Sequence, residues 1–136
     1  MKTITVVVFV ALLASVAAGC GQSGARAEAQ AVTERFYAAL AAGRGAVACR
    51  QLSTATAQAV AQQARRPCRE AVLDLRVGEG GVERVHVAVT SAQVVLAGGE
   101  NAFLDREQGG WRLDAVGCTF ETSAPRERPA DCEAKS

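Results

Sequence analysis

The chain is predicted to be an α+β protein in which N-terminal helices pack on a curved, four-stranded antiparallel meander. Three observations predict it. Apolar residues recur at helical spacing through the first half of the chain, Gly78-Glu79-Gly80-Gly81 interrupts that spacing, and beyond it apolar and polar residues alternate with a period of two. Helices first and strands second, rather than the two interleaved, put the helices together on one face of the sheet. The 136 residues allow one domain of somewhat over 100 residues once the terminal segments are set aside.

Residues 1–20 stand apart from that body. Lys2 supplies one positive charge, residues 6–14 are an unbroken apolar run, and Val16-Ala17-Ala18-Gly19-Cys20 sets small residues directly before a cysteine. The run falls short of the about 20 apolar residues that a bilayer span needs, and its layout is that of a secretory signal. It resembles the bacterial lipoprotein signal, which ends in a small residue followed by the cysteine that becomes the mature N-terminus; Ala17 stands where that signal usually carries leucine. The resemblance implies removal of residues 1–19, acylation of Cys20 with fatty chains such as palmitate, and a protein held by the lipid bilayer at the extracytoplasmic face of a bacterial cell membrane. Residues 20–27 are then the lipidated cysteine and a spacer of small and polar residues, expected to be flexible. The α+β domain follows over 28–118, and a tail over 119–136.

The first helix is expected over 28–42. Val32, Phe36, Ala39 and Leu40 share one stripe, Glu34 and Arg35 lie off it, and Gly43 is placed to stop it. Tyr37 borders the stripe, where a ring packs on the core and leaves its hydroxyl at the edge. Past Gly43-Arg44-Gly45, a short helical piece over 46–52 carries Cys49. Ser53 reads as the N-cap of a helix over 54–64, whose Ala57, Val60, Ala61 and Ala64 form a narrow apolar face. Pro67 ends it, and Ala71, Val72 and Leu75 give residues 68–75 helical spacing again.

In the second half, Val85, Val87 and Val89 alternate with Arg84, His86 and Ala88, and Ala92, Val94 and Leu96 continue the period. Residues 101–106 form a third strand, Glu107-Gln108-Gly109-Gly110 a hairpin loop, and Trp111, Leu113 and Ala115 alternate with Arg112 and Asp114 on a fourth. Val85, Val87, Val89, Trp111 and Leu113 are expected to face inward, and Arg84, His86, Arg112 and Asp114 to face water. Asp105 depends on register. With Phe103 inward it is a buried carboxylate suited to acid or base work; with Ala102 and Leu104 inward it faces solvent, and a slip of one residue exchanges the two. Aspartate is rarely buried without a partner, which favours the solvated position. The tail, with Pro125, Pro129 and mixed charges, reads as an extended loop, with Phe120 tucked against the sheet.

Cys20 aside, four cysteines remain, and Cys49, Cys68, Cys118 and Cys132 allow three pairings. Cys49–Cys68 and Cys118–Cys132 are preferred because each closes a short loop, one bracing the helical half and one tying back the tail; each is worth about 3 kcal/mol in the chain-entropy model. No pair has C-x-x-C spacing and His86 is the sole histidine, so neither a metal nor a redox motif is present, and no cofactor is expected. Losing residues 1–19 takes the 15 basic residues to 14, equal to the 14 acidic ones, which leaves no net basic field to recruit nucleic acid. Arg65, Arg66 and Arg69 form a small basic cluster, read as a solvated helix end rather than a contact for lipid headgroups.

Phe36-Tyr37-Ala38-Ala39-Leu40, Ala48-Cys49 with Leu52-Ser53, Phe103-Leu104 with Gly110-Trp111-Arg112-Leu113 and Gly117-Cys118, and the late Ala130-Asp131-Cys132 carry a resemblance that covers residues 32–132. The stretch resembles small actinobacterial lipoproteins of the nuclear transport factor 2-like superfamily, whose α+β domain is cone-shaped. Thirteen arginines against two lysines fit a GC-rich genome. The resemblance implies the cone but not an activity, because that superfamily holds enzymes and binding modules alike. Its ketosteroid isomerase-like enzymes set Asp, His or Tyr inside the cone, for which Asp105 and Tyr37 are the candidates here. With no convergent polar set and an apolar interior, the expected function is a non-catalytic binding or accessory module for an envelope protein or a small apolar ligand; a small cavity enzyme is the alternative. A polar pocket holding both Asp105 and Tyr37 would mark the enzyme, and an interior filled by Trp111 and Phe36 the module.

Overall fold

The structure, a computed structural model, describes residues 20–120 and 131–136. The expected signal, residues 1–19, and the part of the tail that holds Pro125 and Pro129 lie outside the described residues. In chain order the elements are α1 (Cys20–Ala41), α2 (Gly45–Cys49), α3 (Thr54–Ala64) and α4 (Cys68–Ala71) with a 3-10 turn (Val72–Asp74), then β1 (Val82–Val87), β2 (Ser91–Leu96), β3 (Asn101–Glu107), β4 (Gly110–Cys118) and β5 (Ala134–Lys135). The strands form one antiparallel sheet in the order β1-β2-β3-β4-β5. The α+β class and the order of helices before meander are as expected. The fifth strand is a correction, since the tail pairs with β4 through Ala115↔Lys135 and Val116↔Ala134. Two residues are too few to display a period, so this strand has no signature in sequence.

Helix α1 spans 22 residues, about 33 Å, and begins at Cys20. The flexible spacer expected over 20–27 is therefore helical. Ala25, Ala27, Ala29 and Ala31 are strong helix formers, and the buried Ala25 and Ala29 carry the stripe of Val32, Phe36 and Ala39 back by two turns. At the other end Gly43 adopts φ +68°, and its N–H donates to the Leu40 carbonyl while the Arg44 N–H reaches that of Ala39. That pair of bonds satisfies carbonyls that a helix end leaves open, in a conformation that costs glycine little.

Ser53 caps α3 as its sequence predicts: its Oγ accepts from the Thr56 N–H at 3.1 Å. α2 stops at Cys49, three residues before the expected end, because the chain turns to run beside β4. Leu52 bridges Leu113 in parallel, the Ser53 N–H donates to the Leu113 carbonyl at 2.7 Å, and the Leu113 N–H donates to that of Gln51 at 2.8 Å. Those bonds engage the edge of β4 that β5 is too short to reach. Cys49–Cys68 joins α2 to α4 and Cys118–Cys132 ties the tail to β4, the two preferred pairings, with Cα separations of 6.2 and 4.0 Å.

The register sorts the two faces of the sheet. Val85, Val94 and Ala102 stand in line across β1, β2 and β3, and Val87, Ala92, Leu104 and Leu113 across β1 to β4. This face meets α1. Two inward or outward assignments made from alternation are corrected. Val89, expected inward, lies beyond the end of β1 in the turn to β2 and is 90% exposed. Asp114, expected in water, is 7% exposed. Leu113 pairs with Leu104 and Ala115 with Phe103, so Asp114 is the extra residue of a β-bulge, and the bulge takes it out of the alternation that would have sent it to solvent. His86 is exposed as expected, and Phe120 packs edge-on against Phe103 with ring centroids 6.3 Å apart.

Candidate functional site

Tyr37 sits where the second half of α1 crosses the sheet. Its ring meets Phe36 edge-on at 5.2 Å, and its hydroxyl donates to Glu100 Oε1 in the turn between β2 and β3. Glu100 Oε2 accepts from the Gly78 N–H at 2.7 Å, so one carboxylate fastens both the helix and the segment ahead of β1. That segment passes close over the tyrosine, because a Cβ on Gly80 would come within 2.2 Å of the Tyr37 Cβ. The position requires glycine twice, since Gly80 also has φ +77°.

Burial, first, and then the hydrogen bond and negative charge of Glu100 push the Tyr37 phenol up from its ordinary 10.0; the backbone of Gly117 pulls the other way but does not offset them. The phenol therefore stays protonated and acts as a donor. Raised ionisation in the folded state means that above pH 10 the unfolded chain releases a proton that the folded chain keeps. Stability from this group is whole below that pH and falls as pH rises, by about 1.4 kcal/mol per unit. Tyr37→Phe is expected to cost about 1 kcal/mol at neutral pH and to flatten that alkaline slope, as measured by urea unfolding between pH 9 and pH 11. An unchanged slope would show that the phenol ionises in the folded state.

Asp105 stands elsewhere. Ala102 and Leu104 point inward and are fully buried, so Asp105 occupies the opposite face of the sheet, half-buried and in line with Ser91 and Arg112. Five residues along β3 separate it from Glu100, about 16 Å of extended chain. The two candidates for a cavity enzyme thus lie at opposite ends of a strand, and Tyr37 is beside Glu100 instead. Sequence reasoning missed Glu100 because it occupies a turn after Gly98-Gly99 and its partner is 63 positions away.

The interior between α1 and the sheet is occupied by Phe36, Trp111, Leu96, Leu104 and Leu113, all fully buried. Arg106 lays its guanidinium over the Trp111 ring at 4.8 Å, closing that end of the core with a cation–π contact. Surface concavities are formed among the described residues, two of them beside the disulfides. One, about 460 Å³, lies beside the Cys49–Cys68 disulfide and is lined by Leu52, Ala57 and Ala61 together with Arg50 and Arg112. The other, about 370 Å³, is polar and is lined by Glu100, Arg76, Asp131 and Glu133 around Gly117 and Thr119. Glu133 there accepts from the Arg76 N–H at 3.3 Å. The basic cluster read from sequence is partly neutralised, with Arg66 paired to Asp74 and Arg69 3.9 Å from Glu70.

Among the described residues no group of three or more His, Cys, Asp or Glu side chains could hold a metal ion, and no helix is long and apolar enough to cross a membrane. Comparison of the chain with protein-family models, curated proteins and solved structures gave no match.

Proposed function

We propose that the protein is an extracytoplasmic lipoprotein, anchored in the cell membrane through acylated Cys20, that serves as a non-catalytic binding or accessory module on a nuclear transport factor 2-like cone. The observation that carries the module reading is the filled interior: Phe36 and Trp111 are fully buried in the one core that α1 and the sheet share. The separation of Asp105 from Tyr37 supports it further. Helices packed on one face of a meander support the cone, and two disulfides suit an oxidising compartment outside the cytoplasm. The groove beside Cys49–Cys68, with its apolar lining and two arginines, has the size and composition to receive an apolar side chain of an envelope protein or a small apolar ligand.

Anchoring is the first step to test. Each buried acyl methylene contributes about 0.8 kcal/mol, and one chain binds marginally where two or three hold stably. Cys20→Ser is expected to move the protein from the membrane pellet to the medium. A variant that stays in the pellet overturns the lipid anchor. Crosslinking of the native lipoprotein in its own membranes, followed by pull-down, is expected to return a specific envelope partner; loss of that adduct in Ala61→Glu, which places a charge at a half-buried position of the groove wall, ties the partner to this site.

A further inference from the structure

We propose that the end of the domain formed by the β1–β2 and β3–β4 turns faces the membrane, with the lipid surface as its partner. This rests on the acylated Cys20 of the function proposed above. The direction of α1 across the sheet is fixed at two points. Toward its start, Glu28 lies against Gly110, where an added Cβ would come within 3.0 Å of the carboxylate. Toward its end, Tyr37 reaches Glu100 in the β2–β3 turn and packs on Gly80 ahead of β1. The β1–β2 and β3–β4 turns belong to the first of these ends, and they are neighbours there: the Arg106 N–H donates to the Thr90 carbonyl at 2.8 Å. α1 therefore enters the domain from the end that carries Val89, Gln108 and Gly109.

Cys20 is the first residue of that helix. It leads Glu28 by eight residues, about 12 Å of helix, and the helix is already packed on the body at Ala25. A coil between anchor and domain would leave the domain free to tumble, whereas a helix transmits orientation. Headgroups add about 5–7 Å to each side of the hydrocarbon layer, so an anchor on Cys20 holds the two turns close to the lipid surface. The chemistry at this end suits it. Val89 offers an apolar side chain that is 90% exposed, and Arg26, two residues ahead of Glu28, and Arg106 are exposed at the same end. Glu28 and Glu107 stand at the same end, so the orientation comes from the geometry of the anchor and not from net charge. The Arg65, Arg66 and Arg69 cluster belongs to the far end, because Gly45, just past α1, packs on the Arg69 carbonyl. The polar cleft at Glu100 and Arg76 faces away from the lipid, open to a partner arriving from outside.

The test uses the acylated protein purified from membranes, isotope-labelled and placed in lipid nanodiscs in which some headgroups carry a gadolinium chelate. The strands put about 20 Å between the two ends, and paramagnetic relaxation falls with the sixth power of distance, so amide broadening is expected to be roughly tenfold or more greater at Val89, Gln108 and Gly109 than at Gly43, Gly98 and Gly99. Inserting six Gly and Ser residues after Gly24, where nothing lies within 4 Å, should level the two sets. Equal broadening of both ends in the native chain overturns the orientation, as does stronger broadening at residues 65–69, or a contrast that survives the insertion. A native chain that carries no acyl mass overturns the anchoring itself, a result read by mass spectrometry before any nanodisc is made.

Discussion

Deleting residues 131–136 is expected to cost about 5 kcal/mol and to lower the melting temperature by roughly 20 °C in calorimetry of the oxidised protein. The crosslink is the largest part. Cys132 closes a loop of 14 residues onto Cys118, and removing such a closure gives the unfolded chain about 3 kcal/mol of entropy. The rest comes from contacts the cysteine alone does not account for. β5 pairs with β4 at two positions, Ala134 is buried, and Ser136 donates both its N–H and its hydroxyl to Asp114, at 3.2 and 2.6 Å. Cys132→Ser, which removes the crosslink and leaves the strand, should lose only about 3 kcal/mol. The difference between the two variants measures the strand. If they melt at the same temperature, β5 contributes nothing beyond its disulfide. Against a typical total of about 5–15 kcal/mol, the deletion leaves the domain close to unfolding at body temperature.

What could be read from sequence was local, and what could not was either non-local or irregular. The stripe of Val32, Phe36 and Ala39, the Ser53 cap and the alternation through Ala92, Val94 and Leu96 each need only a few neighbouring residues to declare themselves, and each is found where expected. The disulfide pairing was legible for a related reason, since the shortest loops were also the ones formed. The start of α1 was not. Gly21-Gln22-Ser23-Gly24 has the composition of a linker, and only the tertiary packing of Ala25 and Ala29 extends the helix through it. At the candidate site, Tyr37 could be seen at the edge of its stripe, but nothing near it in the chain announces Glu100. Asp105 was correctly tied to the direction of Ala102 and Leu104, a choice that sequence could frame and only register could make.

Asp114→Ala is expected to cost about 2–4 kcal/mol, a loss on the scale of a core truncation from a residue whose sequence phase says surface. The bulge turns its carboxylate toward two hydroxyls, with Ser136 Oγ at 2.6 Å and Ser53 Oγ at 3.4 Å from Oδ1. Ser53 is also the N-cap of α3, and its one hydroxyl proton is shared between Asp114 Oδ1 and Thr56 Oγ1, the latter at 2.9 Å, while the Thr56 hydroxyl donates to the Asp114 carbonyl at 2.7 Å. One acidic side chain thus joins the start of α3, the bulge in β4 and the end of the chain. Alanine takes an acceptor from the buried Ser53 hydroxyl and from the exposed one of Ser136, and hydrogen bonds to a charged group are worth about 1.5–3 kcal/mol each where neutral ones give about 1. Asp114→Asn keeps an acceptor in nearly the same volume and should lose less than half as much. Because Ser136 is common to both arguments, Asp114→Ala made in the chain lacking residues 131–136 should cost less than in the full chain, a coupling of about 1 kcal/mol in a double-mutant cycle. Strict additivity in that cycle would mean that Asp114 and the end of the chain stabilise the domain independently, and that the bulge is held by Ser53 and Thr56 alone.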